Sequence, residues 1–345
     1  MSTGLAPQVV YALGFSRWKH GTLRLCFPEG NVHFVSRLDL VPSGAVLVVW
    51  GMSHVPEAFE RGIHLVRVED GFLRSVGLGA ELIRPLSWVV DRRGMYFDAT
   101  RASDLEVLLA GTVFDEGLRE RAAALRARIV EAGLTKYNVG TSRWRRPDGV
   151  GRIILVPGQV ETDASIAYGA PGIKTNLGLL QAVRQANPDG FVIYKPHPDV
   201  VAGLRARGYG EDEAAHWCDE VVVDVPMGEL LNEVDEVHVL TSLAGFEALL
   251  RGKKVTCYGQ PFYAGWGLTR DVHPCQRRSR RLSLDELVAG ALILYPLYFD
   301  RNGRGRITPE EALDQLVTWR SEAGTALRWW RGLYRMVLRR VVGVR

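Results

Sequence analysis

An apolar run, Phe191-Val-Ile-Tyr194, ends abruptly in Lys195-Pro196-His197-Pro198. The two prolines bar helix continuation and stiffen the exit, so an ammonium and an imidazole are fixed at the end of a strand. That pair suits a phosphate leaving group on which charge develops in the transition state, although a proline-rich turn with a surface histidine has the same signature. A second run passes through Thr241 and Ser242 into Leu243-Ala-Gly-Phe-Glu247. Hydroxyls and open N–H groups at a helix start bind anions, and the same residues are favoured as plain helix caps. Glu247, one turn on, either meets ribose hydroxyls or faces solvent. The loop Gly158-Gln-Val-Glu-Thr-Asp-Ala-Ser165 follows a third run and carries Gln159, Glu161 and Asp163. A carboxylate there can serve as nucleophile or base if a cleft positions it, and aspartate is also an ordinary turn residue.

The first half offers Val68-Glu69-Asp70-Gly-Phe-Leu-Arg74, in which Glu69, Asp70 and Arg74 are acid/base or acceptor-binding candidates, or else a turn with an internal ion pair. Gly77 and Gly79 lack a third glycine and do not directly follow the strand, which excludes a dinucleotide fingerprint. The segment Gly259 to Gly267 presents Gln260, Tyr263 and Trp266, whose aromatic faces suit stacking on a sugar or base, or plug a seam between domains.

These segments lie at the ends of predicted strands. Candidate strands in the first half are 9–15, 45–50 and 64–68, with helices over 103–109 and 116–132, the first opened by the capping-box spacing of Ser103 and Glu106. A second series follows, with strands at 152–156, 191–194, 220–223, 236–240 and 254–258 and helices at 175–186 and 245–251. Strands alternating with helices predict parallel α/β architecture. The expected organisation is a first domain over 1–140, a basic linker over 141–151, a second domain over 152–282, helices over 283–320 packing back across the hinge, and a basic amphipathic tail over 321–345. In that tail Arg328, Arg331, Arg335 and Arg339 fall on one helical side and Trp329, Trp330, Leu333, Val337 and Val341 on the other, the pattern of an interfacial membrane helix.

With 345 residues, 47% of them hydrophobic, the chain can bury a large core in two domains. The opening residues lack a secretory pattern, and no stretch of about 18 apolar residues is present. Four separated cysteines suggest neither a zinc site nor a disulfide framework, so a reducing cytoplasm is expected. A net charge of +4, with arginines gathered in a linker and a tail rather than around aromatic residues, argues against a nucleic-acid binder.

In order and spacing, several stretches resemble the capsular polysaccharide β-Kdo transferases of the KpsC type. They are GFSRWK (14–19), EDGFLRSVGLG with PLSWVVDRRGMYFDAT, GQVETDAS, YKPHPDV, TSLAGFEALLRGKKVTCYGQPFYAGWGLT and LVAGALILYPLYFD. The resemblance reaches to about Asp300 and implies a GT-B fold of two Rossmann-like domains facing a cleft. It further implies CMP-Kdo as donor and transfer with retention of the β configuration onto a lipid-linked Kdo acceptor. A CMP sugar carries one phosphate, which side chains and a helix terminus can hold, so no metal or other cofactor is expected. The expected place is the cytoplasmic face of the inner membrane, with other capsule assembly proteins as partners.

By the same resemblance the histidine-proline motif maps on His197 and Pro198, the phosphate-binding serine on Ser242, the essential loop aspartate on Asp163 and the E-D-G-F acidic pair on Glu69 and Asp70. Retention takes two displacements, for which Asp163 is the expected nucleophile and Glu69 or Asp70 the expected base. Lys195, Thr241, Glu247 and Gln159 complete the expected donor side, and Arg74, Gln260, Tyr263 and Trp266 the acceptor side or its loops. Gly158 stands where the family often has Asp, and a single module stands where the family often has two, with GFSRWK closer to the second. The competing functions are transfer from another CMP-ulosonate of the sialic acid type and a non-catalytic capsule assembly or export role.

Overall fold

The computed structural model describes residues 9–75, 84–136, 140 and 142–326. Its strands are short apolar runs such as β3 (Val46–Trp50) and β6 (Ile153–Pro157), the latter buried along its whole length, as a strand covered on both faces of a parallel sheet must be. With them, β1 (Val9–Leu13), β2 (Asn31–Val35), β4 (His64–Asp70) and β5 (Ser87–Asp91) belong to the first half. In the second half lie β7 (Phe191–Lys195), β8 (Glu220–Val221), β9 (Glu236–Val239), β10 (Lys254–Cys257) and β11 (Arg270–Asp271), followed by β12 (Pro296–Phe299) and β13 (Arg306–Ile307).

They assemble into two sheets. One runs β13-β12-β5-β4-β3-β1-β2, parallel from β4 to β2 and antiparallel from β4 outward to β13. The other, β11-β10-β9-β6-β7-β8, is parallel throughout. Its order, counted within the sheet, is 3-2-1-4-5-6, so the chain reverses its direction of travel between β6 and β9 and opens a crevice beyond their carboxyl ends. In the first sheet the equivalent reversal falls between β1 and β3.

Helices begin where capping side chains fix them. Ser103 accepts the Glu106 N–H at 3.1 Å and starts Asp104–Gly111; Thr175 accepts the Gly178 N–H at 3.1 Å and starts Asn176–Ala186. The expected helices at 116–132 and 245–251 are found as Glu116–Glu131 and Leu243–Leu250.

The segment after residue 282 departs from expectation. Helix Leu284–Val288 and a π-turn over Ala289–Leu294 are followed by β12 and β13, which complete the first sheet, and only then by helix Pro309–Ala326. β12 pairs with β5 through Pro296 opposite Val89 and Leu297 opposite Trp88. The chain therefore returns to the first sheet as strands as well as helices. The amphipathic tail beyond residue 326 lies outside the described residues, as do Gly77 and Gly79. Among the described residues no helix is long and apolar enough to cross a membrane.

An aromatic seam joins the two sheets. Phe262, from beyond β10, packs tilted against Phe72, from just after β4, with centroids 4.5 Å apart, and also meets Phe246 at 5.2 Å and Tyr96 at 5.9 Å. Beside it Arg277 and Arg278 both bind Glu106, at 2.8 and 3.0 Å, and Tyr295 donates to Asp91 at 2.8 Å. The linker arginine Arg146 is likewise engaged, with Asp235 at 2.9 Å, while Trp144 donates to Glu220. These three arginines hold the chain to itself.

Candidate active site

Three turns converge beyond the carboxyl ends of β6, β7 and β9. Gly158 N–H donates to the Lys195 carbonyl at 2.8 Å, and a Cβ on Gly158 would strike the Tyr194 hydroxyl at 2.6 Å. Gly259 is equally confined, since a Cβ there would lie 2.7 Å from the Leu240 carbonyl and 2.9 Å from Thr241 Cγ2. Glycine at these two places is what lets the turns touch.

Gln159 then locks the crevice. Its Nε2 donates to Thr241 Oγ1 and its Oε1 accepts the Thr241 N–H, both at 3.0 Å, while its backbone is held by Asn176. Gln159 and Thr241, both expected to bind donor, satisfy one another and brace the crevice.

The two carboxylates of the 158–165 loop part company. Glu161 accepts the backbone N–H groups of Asn176 at 2.7 Å and Tyr209 at 2.9 Å and is used structurally. Asp163 caps helix Ala164–Gly169 through Oδ1, which accepts the Ser165 N–H at 2.9 Å; among the described residues its Oδ2 accepts no hydrogen bond. Asp163 is exposed, at the lip of the crevice.

His197 caps the turn Pro198–Val201, its Nδ1 accepting the Asp199 N–H at 3.2 Å. Burial pushes its imidazole down to about 4, helped by the positive charges of Lys136 and Arg205 and opposed by Asp163. The ring is neutral near pH 7, and with Nδ1 accepting, its proton sits on Nε2 as a neutral donor. Ser242 caps Leu243–Leu250, accepting the Ala244 N–H at 3.2 Å. Lys195 is buried, donates to the Val223 carbonyl at 2.8 Å, and is pushed down to about 8 by that burial, with Asp224 opposing.

Glu69 and Asp70 end β4 and face this crevice from the first sheet. Asp70 accepts the buried Arg74 Nε at 2.6 Å, the internal ion pair foreseen as an alternative. Glu69 lies against Gly51, where a Cβ would come within 2.9 Å of its carboxylate. Burial first, and the neighbouring Asp70 second, push the Glu69 carboxyl up to about 8, against the pull of Lys136 and Lys19.

Between the two sets stands Tyr96, whose hydroxyl is 3.5 Å from the Asp70 carbonyl and feels the charges of Lys136, Glu69, Asp70 and Asp163. Tyr96, Lys136 and Lys19 are functional candidates that residue-by-residue reading passed over. Each lies in a stretch without helical or strand periodicity, and only the meeting of the two sheets gives them a role.

Three expectations are corrected. Tyr263 and Trp266 are fully buried, with the Tyr263 hydroxyl donating to the Ser242 carbonyl and Trp266 Nε1 to the Phe262 carbonyl, so neither offers a face to a sugar. Gln260 is likewise occupied, by the His273 and Pro274 carbonyls. Glu247 does not reach for ribose: buried, it accepts the Lys136 N–H at 2.6 Å, and burial raises its carboxyl to about 7. It fastens the end of the first domain to the helix behind Ser242.

Comparison with known proteins places this geometry. The family described as capsule polysaccharide biosynthesis protein matches residues 47–141 and 122–299. The chain belongs to that family. The capsule polysaccharide modification protein LipA of Neisseria meningitidis serogroup A is 46% identical over 319 residues, 89% of this chain, which spans 45% of the length of that relative. The lipopolysaccharide-processing protein LpsZ of Rhizobium meliloti is 42% identical, with 86% of this chain and 71% of LpsZ covered.

Two solved structures from Thermosulfurimonas dismutans KpsC share the architecture. Its β-Kdo 2,7 transferase is 40% identical with a TM-score of 0.74, covering 90% of this chain and 99% of its own. Its β-Kdo 2,4 transferase is 32% identical with a TM-score of 0.76, covering 91% and 99%. This member of the capsule family is thus KpsC-like, an α/β protein of GT-B-like form.

Proposed function

We propose that the protein transfers Kdo from CMP-Kdo to a lipid-linked saccharide, with retention of configuration, in capsule linker synthesis. The observation that carries the reading is what meets at Tyr96: Asp163 of the second domain, a carboxylate with one unengaged oxygen, and the base candidate Glu69 of the first both act on its hydroxyl. The relatives named as Kdo transferases support the sugar, and the greater identity to the 2,7 enzyme favours hydroxyl 7 of the acceptor.

Asp163 Oδ2 attacks C2 of the donor sugar, the C2–O bond to the cytidylate breaks, and CMP leaves with the electron pair. His197 Nε2–H and the N–H groups of the helix behind Ser242 receive the charge of the phosphate. A single phosphate monoester is within the capacity of these groups; among the described residues no cluster of three His, Cys, Asp or Glu side chains could hold a metal ion. Glu69 then takes the proton of the acceptor hydroxyl, whose oxygen attacks C2 and displaces Asp163. Two inversions return the original configuration. Glu69 is preferred over Asp70 because its pKa lies close to working pH, whereas Asp70 is bound to Arg74.

Purified protein, CMP-Kdo and Kdo-primed lipid in vesicles test the proposal directly. The expected product carries one more Kdo, β-linked at position 7, and protein floats with the vesicles only when residues 321–345 are present. An α-linked product would overturn the double displacement, and selective use of CMP-sialic acid would overturn the donor.

The base assignment has its own signature. Glu69 loses its proton as pH rises through about 8, so kcat/KM is expected to climb to that point and level off above it. Glu69→Gln should abolish the rising limb and lower the plateau by about 10²- to 10⁴-fold. An unchanged pH profile in that variant would return the role to Asp70.

A further inference from the structure

We propose that Lys19 is the group through which the first domain recognises the carboxylate of an acidic acceptor sugar. This rests on the reading above, in which the acceptor is itself an ulosonic acid.

Lys19 stands just beyond β1, at the end of the short turn Arg17–Lys19, where its N–H donates to the Ser16 carbonyl at 2.9 Å. Its Nζ lies 3.0 Å from the ring centroid of Trp50, the last residue of β3. β1 and β3 are the strands between which the first sheet reverses, so ammonium and ring sit at the mouth of that sheet's own crevice. The platform is fixed: Trp50 meets Trp88 edge-on at 5.1 Å and Phe15 at 6.2 Å. One residue further, Gly51 adopts a positive φ of 54°, and the Glu69 carboxylate lies against it. The cation is therefore two short steps along the wall from the base candidate.

At this end of the sheet Arg74 is committed to Asp70, whereas among the described residues Lys19 forms no ion pair. Its ammonium is half-buried, and that burial pushes its pKa down against the pull of Asp70 and Glu69. A partly desolvated ammonium held on an aromatic face gains most from a partner that arrives with the substrate. A ligand carboxylate seated there would bring the neighbouring hydroxyls of the same sugar toward Glu69. The competing role for Lys19 is internal, holding Glu69 and Asp70 in place without touching substrate.

A matched pair of acceptors separates the two roles: the Kdo-primed lipid with its carboxylate free, and the same lipid with that carboxylate methylated. With wild-type protein, kcat/KM should be about tenfold or more higher for the free acid, mainly through KM. In Lys19→Gln and Lys19→Met the ratio of kcat/KM for the free acid to that for the ester should fall to about one, whatever change the loss of the charge beside Glu69 brings to both acceptors alike, and Lys19→Arg should keep most of the ratio. Affinity for CMP, bound on the other sheet, reports that each variant is folded. Equal loss on both acceptors, or a wild type indifferent to methylation, would overturn the assignment. Absence of transfer to either acceptor by wild-type protein would instead sink the glycosyltransferase reading, and this assignment with it.

Discussion

Asp163→Asn is expected to lower kcat for sugar transfer by about 10⁴-fold or more while leaving CMP affinity close to wild type. The amide can still accept the Ser165 N–H and cap helix Ala164–Gly169, so the loop keeps its shape. What it loses is the negative oxygen that forms the bond to C2. Glu161→Gln is the informative neighbour, because Glu161 spends both oxygens on the N–H groups of Asn176 and Tyr209. That variant should cost stability and leave the chemistry nearly intact. Steady-state kinetics with CMP titration distinguish them, and near-normal turnover in Asp163→Asn would remove the nucleophile from the mechanism.

The largest stability effect is expected at Phe262. Buried at the meeting of both sheets, it touches Phe72, Tyr96, Phe246 and Tyr263, so truncation empties a site that no neighbour from a single domain can refill. Phe262→Ala should destabilise the protein by about 3–5 kcal/mol, the range for deleting a buried aromatic ring. Because the lost contacts join the domains, the loss should also convert a single denaturant transition into two. Equilibrium unfolding read by tryptophan fluorescence and far-ultraviolet dichroism checks both points; coincident curves and a loss under 1 kcal/mol would show the seam to be dispensable.

Much of this was readable beforehand, for identifiable reasons. Runs such as Ile153-Ile-Leu-Val156 are buried on both faces and announce themselves by continuous hydrophobicity, and Ser103 and Thr175 mark helix starts by chemistry that acts within three residues. The convergence of Gln159, His197 and Thr241 followed because all three stand at carboxyl ends of parallel strands. The return of β12 and β13 was hidden, since the four-residue β12 depends on a partner more than 200 positions away and the two-residue β13 depends on β12. Tyr263 and Trp266 were misassigned because a glycine-rich aromatic loop reads alike whether its rings meet ligand or core. Glu247 was misassigned for a related reason: a carboxylate one helical turn from a phosphate site has the same spacing whether it faces ribose or the Lys136 amide.

The strand pairing between β5 and β12 also fixes a sequence of events during synthesis. When residues 1–150 have left the ribosome, β5 has β4 on one side and bare N–H and C=O groups on the other, with Trp88 lacking the Phe299 ring that it meets at 6.2 Å. Such an edge is a template for wrong pairing until it is covered. At about 5–20 residues per second, residues 296–307 emerge roughly seven to thirty seconds later, after the whole second sheet. The earliest part of the chain to be made is thus among the last to be finished, and a nascent molecule stalled before Pro296 would be the form most exposed to aggregation.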